Sequence, residues 1–125
     1  MAYMNDNAYD AALNYVITNG TRLHICSAEP TSAAQAISLS LGNKASITLG
    51  AVANGATSGR RTTVPAITDG VITGNGTATH WALINGATGT ILAAANLLSA
   101  SQVVVSGNTF TLDAFDITVP DAISA

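Results

Sequence analysis

Apolar and polar positions alternate along most of this chain, and short clusters of Gly, Asn, Ser and Pro break the alternation into pieces of strand length. The first element is the exception. Tyr9, Leu13, Val16 and Ile17 recur at helical spacing, which predicts a helix over 5–19. Asn5 or Asn7 supplies its cap, Asp6 and Asp10 favour the positive end of its dipole, and Gly20 stops it. Thr21–Cys26 alternates cleanly, with Leu23 and Ile25 on one face and Arg22, His24 and Cys26 on the other. Beyond Pro30, Thr31 is positioned to cap one helical turn through Ala36. The run Ile37–Leu41 reads either as a strand or as an extension of that turn, and alternation favours the strand.

Further strands are expected at 46–49, at 60–67 and just after Gly70. Pro65 cannot donate to a ladder, so the 60–67 strand is expected at an edge or a bulge. Thr68-Asp69-Gly70 and Gly74-Asn75-Gly76 read as turns. From Thr77 to Pro120 four apolar, β-branched runs are separated by turn chemistry, the pattern of an antiparallel meander. Asn85-Gly86 and Gly107-Asn108 tolerate the positive φ of tight reversals. In the last run, Phe110 and Leu112 are apolar on even positions, whereas Phe115, Ile117 and Val119 are apolar on odd ones. One residue must therefore be absorbed near Asp113-Ala114, by a bulge or by a bend between two sheets. The sum is a mainly β chain, an antiparallel β-sandwich of about eight strands with one N-terminal α-helix. It forms a single domain: an apolar arm at 1–4, the helix at 5–19, the sandwich at 21–119 and a tail at 120–125.

Composition sharpens this picture. The chain has 125 residues, enough for one core, yet only 9% are charged and 5% aromatic. A surface solubilised by hydroxyls and amides suits a protein packed into an assembly better than a free cytosolic monomer. The formal charge is −3, and Arg22, Lys44, Arg60 and Arg61 are the only fixed cations, which argues against nucleic acid as a partner. The opening residues carry no basic and apolar leader pattern, and no run approaches the length of a membrane span. A soluble product made in the cytoplasm, with no membrane partner, is expected.

Candidate chemistry is sparse. His24 and Cys26 share a strand face and are able to meet one metal ion, but two ligands are too few, and no spacing brings in His80. A half-buried or exposed histidine and a buried, inert cysteine are the simpler reading. No Gly-Xaa-Ser-Xaa-Gly elbow, phosphate loop or dinucleotide fingerprint occurs. Asp113 and Asp116 read as solvated edge charges. Trp81 shares its parity with Leu83 and is expected in the core, with His80 on the opposite face. No catalytic residue, cofactor or metal is expected. The two members of the Arg60-Arg61 doublet face opposite sides of a strand; one of them is able to anchor an acidic partner, although solvated charges that blunt an edge strand are the commoner case.

The stretch Thr79-His80-Trp81, the glycine-bearing hairpin before Ile91-Leu92, the Val103–Val105 run, the Ser106-Gly107-Asn108 turn and the closing Asp116–Pro120 strand together resemble a family of small tailed-bacteriophage proteins. These are decoration-like or tail-fibre-like components of the virion. In them too a helix leads into a strand that ends near a Pro-Thr pair, as Pro30-Thr31 does here. This chain departs from the pattern at Asn85-Gly86, where many relatives carry an acidic residue. The resemblance implies a virion structural protein without saying which part. Small size, low charge, the lack of catalytic motifs and the all-β pattern then favour a capsid decoration (cement) protein that binds the major capsid protein and associates with itself as a trimer or symmetric cluster. Tyr3 and Met4 of the arm, with Arg60 or Arg61, are the expected contacts. A tail, baseplate or fibre component is the alternative, and a carbohydrate-binding sandwich a third.

Overall fold

The computed structural model describes residues 6–55 and 59–119, so the arm with Tyr3 and Met4, Asn5 as a cap and the tail at 120–125 lie outside the described residues. Helix α1 spans Asp6–Asn19. Its expected stripe faces inward: Tyr9 and Leu13 are buried, and Val16 and Ile17 pack on the main core. The amide of Gly20 closes the helix on the Val16 carbonyl. A Cβ at that position would stand 2.7 Å from the same oxygen, so the stop requires glycine.

Nine strands follow among the described residues. They are β1 (Arg22–Cys26), β2 (Ser40–Lys44), β3 (Ala53–Asn54), β4 (Arg60–Val64), β5 (Ile67–Ile72), β6 (Gly76–Ile84), β7 (Leu92–Val104), β8 (Thr109–Leu112) and β9 (Phe115–Val119). They form a curled six-stranded sheet, β7-β6-β1-β2-β5-β8, and a second three-stranded sheet, β3-β4-β9. All pairings are antiparallel. The main core lies between the sheets and α1, and unites Leu23, Ile25, Val64, Ile67, Trp81, Leu83 and Phe110. The mainly β sandwich with an N-terminal helix is the architecture that the alternation implies.

A second, short helix α2 (Ala33–Ser38) covers the other face of the large sheet. Ser32, not Thr31, is its cap, and its hydroxyl accepts from the Gln35 amide, while the Gln35 side chain reaches back to the amide and hydroxyl of Thr31. The helix runs through Ile37 and Ser38, so strand β2 begins at Ser40 and not at Ile37. The reason is tertiary: Ala33 and Ala36, three apart on one helical face, pack with Cys26, Ala82 and Ile84. Strand β1 is consequently buried on both faces.

Other local expectations are corrected by long-range pairing. Residues 46–49 join no ladder, although Ile47 and Leu49 enter the core. Strand β4 is the middle strand of the small sheet, and it ends at Val64, so Pro65 never has to donate. Thr68-Asp69-Gly70 lies inside β5 as an irregularity in its pairing with β8. The β6–β7 reversal is wider than an Asn-Gly hairpin: Asn85 bonds Ile91 across its base, and the positive φ falls on Gly89. Gly107 adopts the expected positive φ of 93°. The parity slip at Asp113-Ala114 is a change of sheet, since β8 ends in the large sheet and β9 begins in the small one.

Candidate functional site

The meander is where structure and pattern part most. Two of its four runs fuse into the single 13-residue strand β7, and the connection between them becomes a bulge in which residues 98–101 oppose Thr79 alone. Strands β7 and β8 follow one another through the Val105–Asn108 turn, yet they do not pair. Strand β8 pairs with β5, so β7 and β8 are the two ends of the large sheet, and its curl brings them face to face across a seam.

A cleft of about 500 Å³ occupies the seam. Its apolar lining comes from Trp81, Leu97, Leu98, Leu112 and Phe115, and its polar lining from Asn96, Ser99, Gln102, Thr111, Asp113 and Asp116. The rings of Trp81 and Phe115 meet at a centroid distance of 4.8 Å and a tilt of 46°. Trp81 is 7% exposed, the core placement its parity predicts, so it offers no open platform for a sugar. The Gln102 side-chain amide spans the seam and donates to the Thr111 carbonyl at 3.2 Å. Strand β7 is otherwise open. Leu97 and Val103 are exposed, Val103 to 82%, and the strand has no charged residue, glycine or proline along its length.

The residues singled out for chemistry are sealed in or paired within the chain. His24 is 4% exposed, more deeply buried than alternation alone suggests, because α2 and β2 complete the second face. Its Nε2 accepts from Arg22 Nε at 3.0 Å, so the proton sits on Nδ1 and is donated to Ser40 Oγ at 2.8 Å; Ser40 Oγ in turn donates to the Gly42 carbonyl. Burial, with the Arg22 charge adding to it, lowers the His24 pKa from 6.5 to about 4. Cys26 is fully buried, donates to the Ala36 carbonyl, and its thiol is pushed up to about 11 by burial. It does not reach the surface, where a neighbour's thiol would have to meet it. His80 lies on the outer face and contacts Thr79 Oγ1. Among the described residues no group of three His, Cys, Asp or Glu side chains is placed to hold a metal ion, and no helix is long and apolar enough to cross a membrane.

Arg60 and Arg61 do face opposite sides, and each is engaged. Arg60 grips Asp10 of α1, with Nε to Oδ1 at 2.7 Å, and also donates to Asn54. Arg61 meets Asp116 at 2.8 Å, where Thr63 adds a second hydrogen bond. Those two hydrogen bonds hold the Asp116 carboxyl below its usual pKa. Asp113 makes no hydrogen bond or ion pair among the described residues.

These features define a mainly β protein whose notable surface is an open strand edge and the cleft beside it. Comparison with protein-family models, with curated proteins and with solved structures returns no match. None of the three therefore links the chain to phage virion proteins, and the resemblance carried by residues 77–120 stands alone.

Proposed function

We propose that this protein is a structural component of a multi-protein assembly, and more specifically a tailed-phage virion protein that decorates the head shell. The observation that carries the assembly reading is strand β7: a long edge, uncharged throughout, with Leu97 and Val103 turned to solvent. Free soluble proteins blunt such edges with lysine, proline or inward charge. An edge left unprotected over this length fits a protein that is covered in use. The phage assignment rests on the turn-and-core pattern of residues 77–120. In this reading a rigid sandwich bridges neighbouring subunits of the major capsid protein, or other virion proteins, and adds buried interface to the shell. Self-association as a trimer or symmetric cluster places copies at local symmetry axes. Tyr3 and Met4 remain proposed contacts; Arg60 and Arg61, both engaged within the chain, would have to share their charge with a partner. The protein performs no catalysis.

The test is antibody labelling of purified particles, followed by removal of the gene product. Label on heads, and empty or heat-fragile capsids in its absence, support the decoration role. Label on tails moves the function to a tail, baseplate or fibre component. Absence from particles ends the virion reading.

A further inference from the structure

We propose that the seam between β7 and β8 accepts one additional β-strand, supplied by an extended segment of a different, neighbouring protein that is apolar at alternate positions and carries a lysine or arginine beside Asp113. The proposal deepens the assembly reading and rests on it for the nature of the partner.

Consecutive antiparallel strands joined by a four-residue turn (Val105–Asn108) ordinarily pair as a hairpin. Here each has its ladder on its far side only, β7 with β6 and β8 with β5, and the two inner edges face each other unpaired. A cleft of about 500 Å³, lined by residues of both strands, lies where their ladder would be, and Gln102 bridges it through its side chain. The Gln102 amide is a chemical copy of a peptide group. It donates to the Thr111 carbonyl in the place that the backbone amide of an intervening strand would take. The bulge at 98–101 leaves part of the β7 backbone outside the ladder with β6 as well.

The chemistry of the walls describes the missing strand. Trp81, Leu98, Leu112 and Phe115 lie at the base of the cleft, so side chains of one parity would be apolar while the other parity faces solvent. The β7 wall is uncharged, so it offers a charged partner nothing to pair with along that side. The β9 end differs: Asp116 is neutralised by Arg61, whereas Asp113 has no cation among the described residues. A second copy of this chain is a poor source of one. Lys44, Arg60 and Arg61 are held by Asp69, Asp10 and Asp116, and Arg22 is turned toward His24. The cation therefore comes from another protein.

Trp81, the single tryptophan, lines the seam and serves as the reporter. The probe is a short synthetic peptide of alternating threonine and valine that ends in lysine, titrated into the full chain. Saturable change in Trp81 fluorescence, with slowed amide exchange on β7 and β8, is the expected result. The same peptide with prolines in place of the threonines keeps the apolar stripe but loses every amide that would face one wall of the seam, and should leave both signals unchanged. Replacing its lysine with glutamate, or Asp113→Asn in the protein, should weaken binding by about fivefold. No saturable signal from the alternating peptide, or equal binding of the proline peptide, overturns the proposal. That failure would not touch the virion reading, which is judged on particles. Conversely, absence from particles with peptide binding intact would remove the virion role and leave the strand acceptor.

Discussion

Phe110 lies across two glycines, and adding a single methyl group beneath it tests the central packing of the large sheet. In the β5–β8 pairing Gly70 is the direct partner of Phe110. A Cβ built on Gly70 falls well inside van der Waals contact with three atoms of the ring, and one on Gly42 would stand 2.6 Å from the Val71 carbonyl and 3.4 Å from the same ring. Phe110 is 2% exposed, so its ring is enclosed by its neighbours. Gly70→Ala must then expel the ring or part β5 from β8. Overpacking of this kind costs about 1–3 kcal/mol, and the loss of chain entropy in the unfolded state returns ~0.4–1 kcal/mol. A net loss of about 1.3 kcal/mol is expected, equivalent to a fall in Tm of roughly 5 °C for a chain of this size. Phe110→Ala alone should cost ~3–5 kcal/mol. In the double variant the new methyl enters the space the ring has left, so the two costs should fall short of their sum by at least ~1 kcal/mol. Urea denaturation of the four proteins measures all three quantities. A Gly70→Ala protein within ~0.5 kcal/mol of the parent, or strictly additive costs, refutes the packing described.

Three further predictions follow from buried or paired groups. The unfolded chain protonates His24 near pH 6.5, whereas the folded chain resists until about 4, so stability is full above 6.5 and declines as pH falls toward 4, by roughly 2–3 kcal/mol. Urea denaturation across that range should show the decline, and His24→Gln should flatten it; identical slopes in both proteins contradict the assignment. Cys26, buried and with its thiol pKa near 11, should resist a thiol-reactive dye in the native state and react at once in urea; rapid native labelling would place it elsewhere. Asp10→Asn removes the carboxylate that ties α1 to β4 through Arg60, and should lower stability by about 1 kcal/mol in low salt and by less in high salt. No salt dependence would mean that the pair contributes packing only.

Much of the fold is legible in the sequence because its signals are local. The stripe from Tyr9 to Ile17 marks α1, alternation marks β1, and the parity slip at Asp113-Ala114 marks the step from one sheet to the other. What escapes is decided at long range. Ile37 and Ser38 alternate like a strand, and only the seat for Ala33 and Ala36 beside Cys26 makes them helical. Asp69-Gly70 has the chemistry of a turn, but its glycine exists to admit Phe110 from a strand some forty residues away. The seam is harder still to read, because it consists of a pairing that does not form between neighbours in sequence. One trace of it is visible without coordinates: the 92–104 run has no charge, proline or glycine, which is unusual for a strand at an edge.

The measurement that tests the assembly reading most directly is a cryo-electron reconstruction of the tailed-phage particles proposed to carry this chain. The account predicts density for the sandwich at repeated positions on the outer surface of the head, with the β7–β8 seam turned toward a neighbouring subunit. Density confined to the tail would contradict the decoration role, and particles without the protein would contradict the virion assignment altogether.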